Sequence, residues 1–580
     1  MKKRSFVMIV CVLALIAALL CGCEIGKEYT VSFDGNYGGA EQIPSQTVAS
    51  GKKVQSPGDP VRDGYVFLGW TQDLSMGELW DFSADKVKAD CTLYALWDKD
   101  TGDDFASNIQ DKDFSAMRTP GSQESAYEYR LNFLPGVDGI NQPYVGDPMP
   151  YYEDGVFYLY YLKEGGDSYN HSIYLTTTTD FITFTEVDEP IIEASRGGGQ
   201  DGWAGTGNIV KVEDKYYFFY TGHAPSESYE YMEKIMLAVG DDLYHFEKVE
   251  DWEMIPPTEL GQKRDFRDPQ AYYDAETNKI YMTVTAAKDG VARILKYTMD
   301  PDLTNIHYEG ILLTDPTGEF WNLECSDCFQ IGDKWYVTYS GQDDTLWYAI
   351  SDSRFGEYSQ PVRLEGKLFY AAKQVSDGTN NYMVGWTRRS ESPSSTQEVS
   401  AWGGNMSVQQ IVQNPDGTLA LAPVESVREA FTERRELLIP GTAAALDAGS
   451  RYVYSEVFTS YERFLITGEF RYTGDGSFGL AFDYGKEEAS YKLISVDPAD
   501  GRIRLSFNEG SADITQIAVP LEKDKDYSFT YVQEGSVGVF YVDGVAALTV
   551  RIYGVTGKPI RLFAENNYVV FSCLREYTMP

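Results

Sequence analysis

A strand pattern that recurs five times is the feature of this sequence that most restricts its fold. Each copy opens with an acidic or amide residue at a turn and continues as an alternating run rich in aromatic residues. The copies open at Asp154, Asp214, Asn278, Asp333 and Asn380, so the intervals are 60, 64, 55 and 47 residues. Because these intervals are close to the length of one four-stranded blade, they predict a five-bladed β-propeller.

The remainder of the chain also favours strands. Short alternating segments separated by turn residues continue to the end and predict a β-sandwich over residues 440–580. The propeller is predicted over residues 126–425, and a short helical segment over Val427–Leu438 joins the two. Aromatic residues make up 14% of the chain and long helical patterns are scarce. We therefore predict an all-β protein.

The first residues resemble an export signal. Lys2-Lys3-Arg4 precede an apolar run that ends at Leu20-Cys21-Gly22-Cys23, which is typical of a secretory signal peptide. The end of the run resembles a bacterial lipoprotein cleavage site, so residues 1–23 are interpreted as the signal and Cys23 as the lipidated residue. A plain signal peptide or an N-terminal membrane helix are the alternatives. We expect a protein held at the extracellular face of a bacterial membrane by a lipid anchor only.

A small module and a polar segment follow. Three strand-like stretches, beginning at Tyr29, Arg62 and Thr92, make residues 28–97 similar to the Listeria–Bacteroides surface repeat, a small β-grasp-like module. That resemblance implies a spacer or adhesion role without chemistry. Residues 98–125 contain few apolar residues and are predicted to form a linker.

Charge and ligand spacing exclude several classes of partner. The net charge of −39 argues against binding of nucleic acid or anionic lipid headgroups. Cys325 and Cys328 form a C-x-x-C motif, but on a strand their side chains point to opposite faces. The four histidines share no ligand spacing: His171, His223, His245 and His307. We predict neither a metal nor a cofactor.

Three carboxylates stand out because they precede copies of the repeat at similar distances. Asp147, Asp268 and Glu324 lie 7, 10 and 9 residues before the turns that open the first, third and fourth copies. The three acids are therefore expected at nearly equivalent positions in three blades. Equivalent positions near the start of an inner strand point into one axial funnel, so we expect the three acids to converge.

Glu324 has the surroundings of a proton donor. It stands between Leu323 and Cys325, immediately before an aromatic strand. Burial in such a setting favours the neutral form of a carboxyl, which is the form that can donate a proton.

The motifs around these acids are similar to those of a known family. Gly146-Asp147-Pro148, Phe266-Arg267-Asp268-Pro269 and Glu324-Cys325 resemble, in order and spacing, the three signature motifs of glycoside hydrolase family 32. The resemblance covers residues 130–580. It implies a five-bladed propeller followed by a β-sandwich, and retaining cleavage of β-fructosidic bonds in fructans or sucrose-type sugars.

The resemblance also implies a role for each acid. Asp147 would be the nucleophile, Glu324 the general acid and base, and Asp268 the group that stabilises the transition state through substrate hydroxyls. Retention requires the nucleophile and the acid to lie about 5–5.5 Å apart. Arg267 would pair with one of the acids or bind a sugar hydroxyl.

One motif departs from the family. Family members usually read Asn-Asp-Pro-Asn-Gly around the nucleophile, whereas this chain reads Gly146-Asp147-Pro148-Met149-Pro150. The loss of both amides removes sugar contacts and leaves the substrate open beyond an oligo- or polysaccharide. Asn141 and Gln142 are candidates for the missing polar contacts.

Three tryptophans are further candidates for substrate binding. Trp203 precedes the second copy of the repeat at the position predicted to be equivalent to the acids. Trp321 precedes the fourth copy, and Trp386 is the last residue of the fifth. A buried structural tryptophan is the alternative for each. Asp327 is interpreted either as a hydrogen-bond partner of Glu324 or as a solvated loop acid.

Two other functions remain open from the residues. An inverting propeller glycosidase of the arabinosidase or xylosidase type also uses three axial acids, and product stereochemistry separates it from a retaining enzyme. A non-catalytic sugar-binding lipoprotein would explain the altered motif. However, a binding module has no reason to keep three mutually repelling acids together.

Overall fold

The computed structural model describes most of the chain in sixteen segments. These are residues 27–37, 40–62, 65–72, 79–99, 129–136, 142–164, 171–195, 198–260, 264–389, 401–438, 442–449, 452–459, 462–483, 491–507, 514–555 and 559–579. The predicted signal peptide, Cys23, most of the predicted linker and Asn141 lie outside the described residues.

The chain divides into two compact units. The first contains residues 1–107 together with residues 438–445 and 571–573, and the second contains the rest. Four strands of the first unit form a sheet in the order β2-β1-β4-β3. They are β1 (Glu28–Asp34), β2 (Ile43–Ala49), β3 (Tyr65–Thr71) and β4 (Cys91–Lys99). Since β4 ends at Lys99, the strand extends two residues into the predicted linker.

Among the described residues, the second unit begins with twenty strands. They are β5 (Tyr144–Glu153), β6 (Val156–Glu164), β7 (Ile173–Thr178), β8 (Phe184–Ile192), β9 (Trp203–Val212), β10 (Lys215–His223), β11 (Glu233–Gly240), β12 (Phe246–Met254), β13 (Phe266–Asp274), β14 (Lys279–Lys288), β15 (Val291–Met299), β16 (His307–Thr314), β17 (Glu324–Ile331), β18 (Lys334–Ser340), β19 (Leu346–Ser351), β20 (Val362–Glu365), β21 (Phe369–Ser376), β22 (Asn381–Arg389), β23 (Ala401–Gln413) and β24 (Leu419–Ala422). Strands β9–β12, β13–β16 and β17–β20 form three four-stranded antiparallel sheets. Strands β5–β8 and β21–β24 are joined in one eight-stranded sheet.

The aromatic repeat of the sequence forms the second strand of each group of four. These second strands are β6, β10, β14, β18 and β22, and each follows a short turn from the first strand. The first strands contact one another in a cycle, because β5 contacts β9, β9 contacts β13, β13 contacts β17, β17 contacts β21, and β21 contacts β5. Residues on the five first strands therefore face a shared centre.

Every first strand is interrupted by a β-bulge at the same level. The residues in the bulges are Asp147 and Pro148 of β5, Thr206 of β9, Asp268 and Pro269 of β13, Cys325 and Ser326 of β17, and Ala371 and Ala372 of β21. Four of the bulges contain a residue with a left-handed backbone, at φ angles of 33° for Asp147, 56° for Asp268, 52° for Cys325 and 51° for Ala371. A bulge turns a side chain away from the regular pleat, so these bulges redirect side chains at one level of the centre.

The helix after β24 is shorter than predicted. Helix α1 spans Glu425–Ala430, and the strand β25 (Glu433–Glu436) follows where the sequence predicted helix up to Leu438. Arg434 and Arg435 pair with Tyr577 and Glu576 on the last strand of the chain, and this pairing favours strand over helix. Within the described segments no helix is long and apolar enough to cross a membrane.

The C-terminal strands form two sheets, as expected for a β-sandwich. The sheets contain seven and six strands. After β25 the strands are β26 (Ala444–Asp447), β27 (Tyr452–Thr459), β28 (Arg463–Tyr472), β29 (Phe478–Asp483), β30 (Tyr491–Asp497), β31 (Arg502–Phe507), β32 (Thr515–Ala518), β33 (Tyr527–Glu534), β34 (Val537–Val542), β35 (Ala546–Arg551), β36 (Pro559–Glu565) and β37 (Tyr568–Thr578). The fold is all-β, as the sequence predicted.

A buried arginine links the C-terminal sheets to the strands that precede them. Arg551 is 1% exposed and donates hydrogen bonds to the carbonyl oxygens of Thr387 and Arg388 at 2.9 and 2.6 Å. It also donates to Asn405 Oδ1 at 2.8 Å. A buried guanidinium is stable only when its donors are satisfied, so these contacts fix the ends of β22 and β23. Trp386, the neighbour of Thr387, is thereby held in place.

Candidate active site

The bulges bring the three acids together around Cys325. The backbone N–H of Cys325 donates a hydrogen bond to Asp268 Oδ2 at 2.7 Å. Thr206 Oγ1 lies 3.7 Å from Cys325 Sγ and donates to Asp147 Oδ2 at 2.7 Å. Glu324 is the residue before Cys325. Acids that are far apart in the sequence therefore converge, as the repeat predicted.

The positions of the acids are not all equivalent, however. Asp147 and Asp268 each occupy the first position of a bulge, and Cys325 occupies that position in β17. Glu324 precedes the bulge and is thus equivalent to Arg267. The positions are nearly equivalent, as predicted, but Glu324 is offset by one residue, because distances counted from the following turn do not reveal where a bulge begins.

Asp147 is half-buried and has a donor on each carboxylate oxygen. Thr206 bonds Oδ2, and Trp386 Nε1 donates to Oδ1 at 3.1 Å. Two donors from different strands fix the orientation of the carboxylate. Free lone pairs on both oxygens remain available to a ligand.

Asp268 is the most buried of the three acids, with 3% of its surface exposed. It accepts hydrogen bonds from the Cys325 N–H and, at 3.4 Å, from Thr285 Oγ1. The pKa of Asp268 is raised to about 6, mainly by burial and in addition by the charge of Asp147, while Arg267 and the Cys325 N–H oppose the shift. Asp268 is therefore poised to titrate near neutral pH.

Glu324 is oriented by two side chains. Arg267 donates from Nη2 to Oε1 at 2.8 Å, and Tyr370 donates its hydroxyl to Oε2. Burial and the nearby Glu324 charge raise the pKa of Tyr370 well above its usual range, so the phenol stays a donor. Charge-assisted hydrogen bonds of this kind position a carboxyl more firmly than neutral ones.

Arg267 links Glu324 to further acids on its other side. Its Nη1 lies 3.1 Å from Asp265 Oδ1 and 3.3 Å from Glu233 Oε1. Burial opposes ionisation of Glu233, but the hydrogen bond from His223 and the charge of Arg267 lower its pKa to about 2. The sequence predicted that Arg267 pairs with an acid, and its closest acidic partner is Glu324.

The three candidate tryptophans occupy different environments. Trp321 is 48% exposed and its ring lies 5.3 Å from the Arg267 guanidinium, so one face is open beside Glu324. Trp203 is 47% exposed but begins β9 three residues before the bulge. Thr206, not Trp203, holds the position equivalent to Asp147. Trp386 is fully buried, so it orients Asp147 through a hydrogen bond and has no exposed surface for a sugar.

Two further expectations are changed by the structure. Gln142 donates from Nε2 to the carbonyl oxygens of Pro135 and Pro143 at 2.8 and 2.9 Å. Its amide N–H groups therefore bind neighbouring backbone, whereas the sequence predicted a sugar contact. Asp327 is neither a partner of Glu324 nor solvated. It is 4% exposed, and its Oδ2 accepts the backbone N–H of Gln374 at 2.6 Å.

The unusual glycine before Asp147 has a steric cause. A Cβ atom built on Gly146 would overlap the Trp402 ring, 2.5 Å from its Cζ2 and Cζ3 atoms. Trp402 is held there by His171, whose ring stacks on it at 4.6 Å with an interplanar angle of 7°. His171 Nε2 in turn bonds Glu164 Oε2 at 2.8 Å. Trp402 therefore takes up the space that an asparagine side chain at position 146 would need.

Gly146→Asn is accordingly expected to destabilise the protein by about 1–3 kcal/mol through overpacking. In a Trp402→Leu background the same change should cost much less, because the ring is gone. Thermal unfolding of the four proteins in this cycle checks the expectation. Gly136→Asn is the matched control, since Gly136 does not have a left-handed backbone and the nearest atom to its Cβ position is Glu186 Oε2, at an ordinary contact distance of 3.4 Å. Equal costs of Gly146→Asn in both backgrounds would show that Trp402 does not exclude the side chain.

Sequence reasoning missed three side chains of the site, namely Thr206, Tyr370 and Lys373. Tyr370 lies 10 residues before Asn380, the same offset as Asp268 before its turn, so the repeat could have identified it. Thr206 stands between two glycines ahead of the second copy. Lys373 offered only one signal, a charged residue within an otherwise buried strand.

Residues 141–423 match the model of the glycosyl hydrolases family 32 N-terminal domain. Residues 141–423 belong to glycoside hydrolase family 32. The family 32 domain contains Asp147, Asp268 and Glu324, and its assignment makes the chain a hydrolase of O-glycosyl bonds. The resemblance seen in the three motifs is thereby confirmed.

Two relatives that match most of the chain are consistent with the assignment of the family 32 domain. Sucrose-6-phosphate hydrolase of Escherichia coli is 25% identical over 422 residues, which cover 68% of this chain and 83% of that protein. The solved structure of sucrose-6-phosphate hydrolase from Lactobacillus gasseri has a TM-score of 0.61 at 17% identity and covers 79% of this chain and 94% of its own. At that identity the second likeness shows the fold alone.

The N-terminal module is a separate match. Residues 29–96 match the Listeria–Bacteroides repeat domain, which confirms the second resemblance. A membrane protein of Evansella cellulosilytica is 42% identical over 72 residues, but the chain spans only 8% of that relative's length.

Proposed function

We propose that the chain is a retaining β-fructosidase, anchored at the cell surface, that cleaves fructans or sucrose-type sugars. The observation that carries this proposal is the convergence of Asp147, Asp268 and Glu324 around the bulge of β17 within a family 32 domain. The name of the Escherichia coli relative supports a substrate of the sucrose type.

In the first step Asp147 acts as the nucleophile. Its carboxylate attacks the anomeric carbon while the carboxyl of Glu324 gives its proton to the leaving glycosidic oxygen. The anomeric carbon–oxygen bond breaks, and a glycosyl ester of Asp147 remains. The hydrogen bonds from Thr206 and Trp386 support this role because they hold the carboxylate in one orientation.

In the second step Glu324 acts as the base. It removes a proton from a water molecule that attacks the same carbon, and Asp147 leaves as a carboxylate. Arg267 and Tyr370 hold Glu324 in place through both steps. Two inversions at the anomeric carbon give net retention.

Asp268 is proposed to bind the hydroxyl groups of the sugar in the −1 position. Its burial makes hydrogen bonds from a sugar hydroxyl stronger than they are in water. Trp321 is proposed as a contact surface for the sugar, since its open face lies beside the acid. Trp203 is proposed as a more distant sugar contact.

We also propose that the five groups of four strands are the blades of a five-bladed propeller over residues 126–425, with the sandwich over residues 440–580. The cyclic contacts of the first strands support the ring. Bulges at one level in all five strands support an equivalent geometry for each blade.

Hydrolysis assays on a panel of sugars test this function. The protein should release fructose from at least one of sucrose, inulin and levan, and should leave arabinan intact. The Asp147→Ala variant serves as the control for contaminating hydrolases. Cleavage of arabinan alone, or binding of fructans without hydrolysis, would overturn the proposal.

Anchoring at the surface is a separate element of the proposal. It rests on the Leu20-Cys21-Gly22-Cys23 motif and on the Listeria–Bacteroides repeat. Cys23→Ser is expected to release the protein from bacterial membranes with its hydrolytic rate unchanged, because a lipid supplies location only. Fractionation of cells that produce each form measures this. Persistent membrane association of the variant would argue against lipidation of Cys23.

A further inference from the structure

A buried lysine lies at the shared centre of the first strands. Lys373 follows the bulge of β21, is 2% exposed, and donates from Nζ to the carbonyl oxygen of Gly207 at 3.2 Å. Gly207 belongs to β9, which β5 separates from β21 in the cycle of first strands. The side chain therefore reaches through the shared centre just below the level of the bulges.

A polar cavity lies on the other side of this lysine. It has a volume of about 170 Å³, and its lining includes Lys373, Asp327, Gln270 and Asn208. Asp327 and Lys373 are both nearly inaccessible, and the positive charge of Lys373 opposes the effect of burial, which raises the pKa of Asp327. Lys373 therefore lines the same cavity as Asp327, and its charge acts on both Asp327 and Asp268.

The three carboxyl groups of the site have more negative charge than Arg267 alone can compensate. Three acids converge above Lys373, and Arg267 is a cation that contacts Glu324 directly. On Asp268, burial and the Asp147 charge raise the pKa, whereas Arg267 and Lys373 lower it. Arg267 Nε lies 3.9 Å from Asp268 Oδ2, but the closest acid of the site to Arg267 is Glu324, so Lys373 supplies the second positive charge that acts on Asp268.

We propose that Lys373 is a positioning residue for the proposed glycosidase reaction: its buried ammonium forms the floor of the acid cluster and allows Asp147 and Asp268 to be charged at the same time. The role of Lys373 in catalysis rests on the proposed function. The compensation of charge itself does not depend on the substrate.

The charged and titratable groups that face this region come from four elements. They are Asp147 from β5, Arg267 and Asp268 from β13, Glu324, Cys325 and Asp327 from β17, and Lys373 from β21. Strand β9 contributes the Gly207 carbonyl oxygen and the Thr206 hydroxyl. Four of these groups are carboxyls, Arg267 and Lys373 are the basic groups that act on Asp268, and Arg354 is a further basic group that acts on Asp327. Removal of the Lys373 charge therefore increases the excess of acidic groups.

Lys373→Gln tests the compensation, because glutamine can still donate to the Gly207 carbonyl but has no charge. The melting temperature of the variant should fall little at about pH 5, because Asp268, whose pKa is raised to about 6, takes up a proton there. The fall should be at least roughly twice as large at about pH 8, where the buried carboxylates are charged and lack their cation. Lys334→Gln is the control, since its partner Asp352 is exposed and solvated, and it should show no such dependence on pH.

Two further variants keep this test decisive. If Lys373→Gln does not fold, adding Asp268→Asn should restore folding, since the double variant removes one charge of each sign. Lys373→Arg keeps the charge and should resemble the unmodified protein in the dependence of its melting temperature on pH. Lys373 would be shown to act by packing alone if Lys373→Gln lowered the melting temperature equally at both pH values. The same conclusion would follow if Asp268→Asn did not restore the folding of Lys373→Gln.

The enzymatic readout separates this inference from the proposed function. On the preferred fructoside, Lys373→Gln should lose kcat more than it raises KM, and the acidic limb of its pH profile should move up by about one pH unit. The proposed function would be refuted if the protein hydrolysed no fructoside. If Lys373→Gln still showed the pH-dependent fall in melting temperature, charge compensation by Lys373 would remain supported. An active enzyme whose acidic limb is unchanged by Lys373→Gln would refute the positioning role.

Discussion

Asp147→Ala is expected to lower turnover by roughly 10⁴- to 10⁶-fold for every substrate, because no other group can form the covalent intermediate. The alanine also removes the acceptor for the Thr206 and Trp386 donors, so part of the loss reflects the rearrangement of these side chains. Initial rates on the preferred fructoside, with melting temperature as a check on folding, measure the effect. Asp333→Ala is the matched control, because Asp333 lies in a turn and its side chain is 87% exposed.

Restoration of activity by an added nucleophile would strengthen the assignment. Azide can occupy the space left by the missing carboxylate and attack the anomeric carbon, and it should then give a fructosyl azide of opposite configuration. A folded Asp147→Ala protein with near-normal activity would contradict the role of Asp147 and the mechanism built on it.

Glu324→Gln is expected to slow the cleavage of natural sugars by roughly 10²- to 10⁴-fold, which is the range for loss of a general acid. The formation of the intermediate from an aryl fructoside with a good leaving group should be much less affected, because such a group needs little protonation. The alkaline limb of the pH–rate profile should also flatten, since that limb reports loss of the proton from the catalytic acid. Pre-steady-state rates on substrates of graded leaving-group ability measure the difference.

Two comparisons make the Glu324 experiment specific. Glu309→Gln changes a partly exposed glutamate of β16 and should alter neither rate. Tyr370→Phe removes one donor to Glu324 but keeps the acid, and it should produce a smaller loss with the same trend across leaving groups. If Glu324→Gln lowered the rate equally for substrates with good and with poor leaving groups, Glu324 would not be the proton donor.

Much of the fold could be predicted because its signals are local and repeated. A strand of alternating aromatic residues after a short turn needs only period-two patterning to be identified, and five copies imply one architecture. The helix before the sandwich was less predictable. Residues 433–436 have charges suited to a helix surface, yet their pairing with β37 makes them a strand.

The convergence of the acids was predictable, but their exact register was not. The repeat predicts which strands face the centre, while a bulge adds a residue that leaves no mark in the alternation. Glu324 is therefore equivalent to Arg267, and Thr206 stands where Trp203 was expected.

Contacts between strands remote in sequence were the least predictable part of the site. Trp402 explains the glycine at position 146, and Lys373 reaches Gly207 across the centre. Both depend on side-chain packing between β21 or β23 and strands more than 160 residues earlier in the chain. A single sequence contains no periodicity that reveals such pairs.

The configuration of the first product tests the central claim most directly. NMR spectra recorded during the first minutes of hydrolysis distinguish the anomer that leaves the enzyme from the mixture formed later by mutarotation. Methanol added as a competing acceptor fixes the configuration in a stable methyl fructoside. Retention through a covalent ester on Asp147 predicts the β anomer and methyl β-fructoside from a β-linked substrate. The α anomer as first product, with no methyl fructoside, would contradict the mechanism and indicate an inverting enzyme.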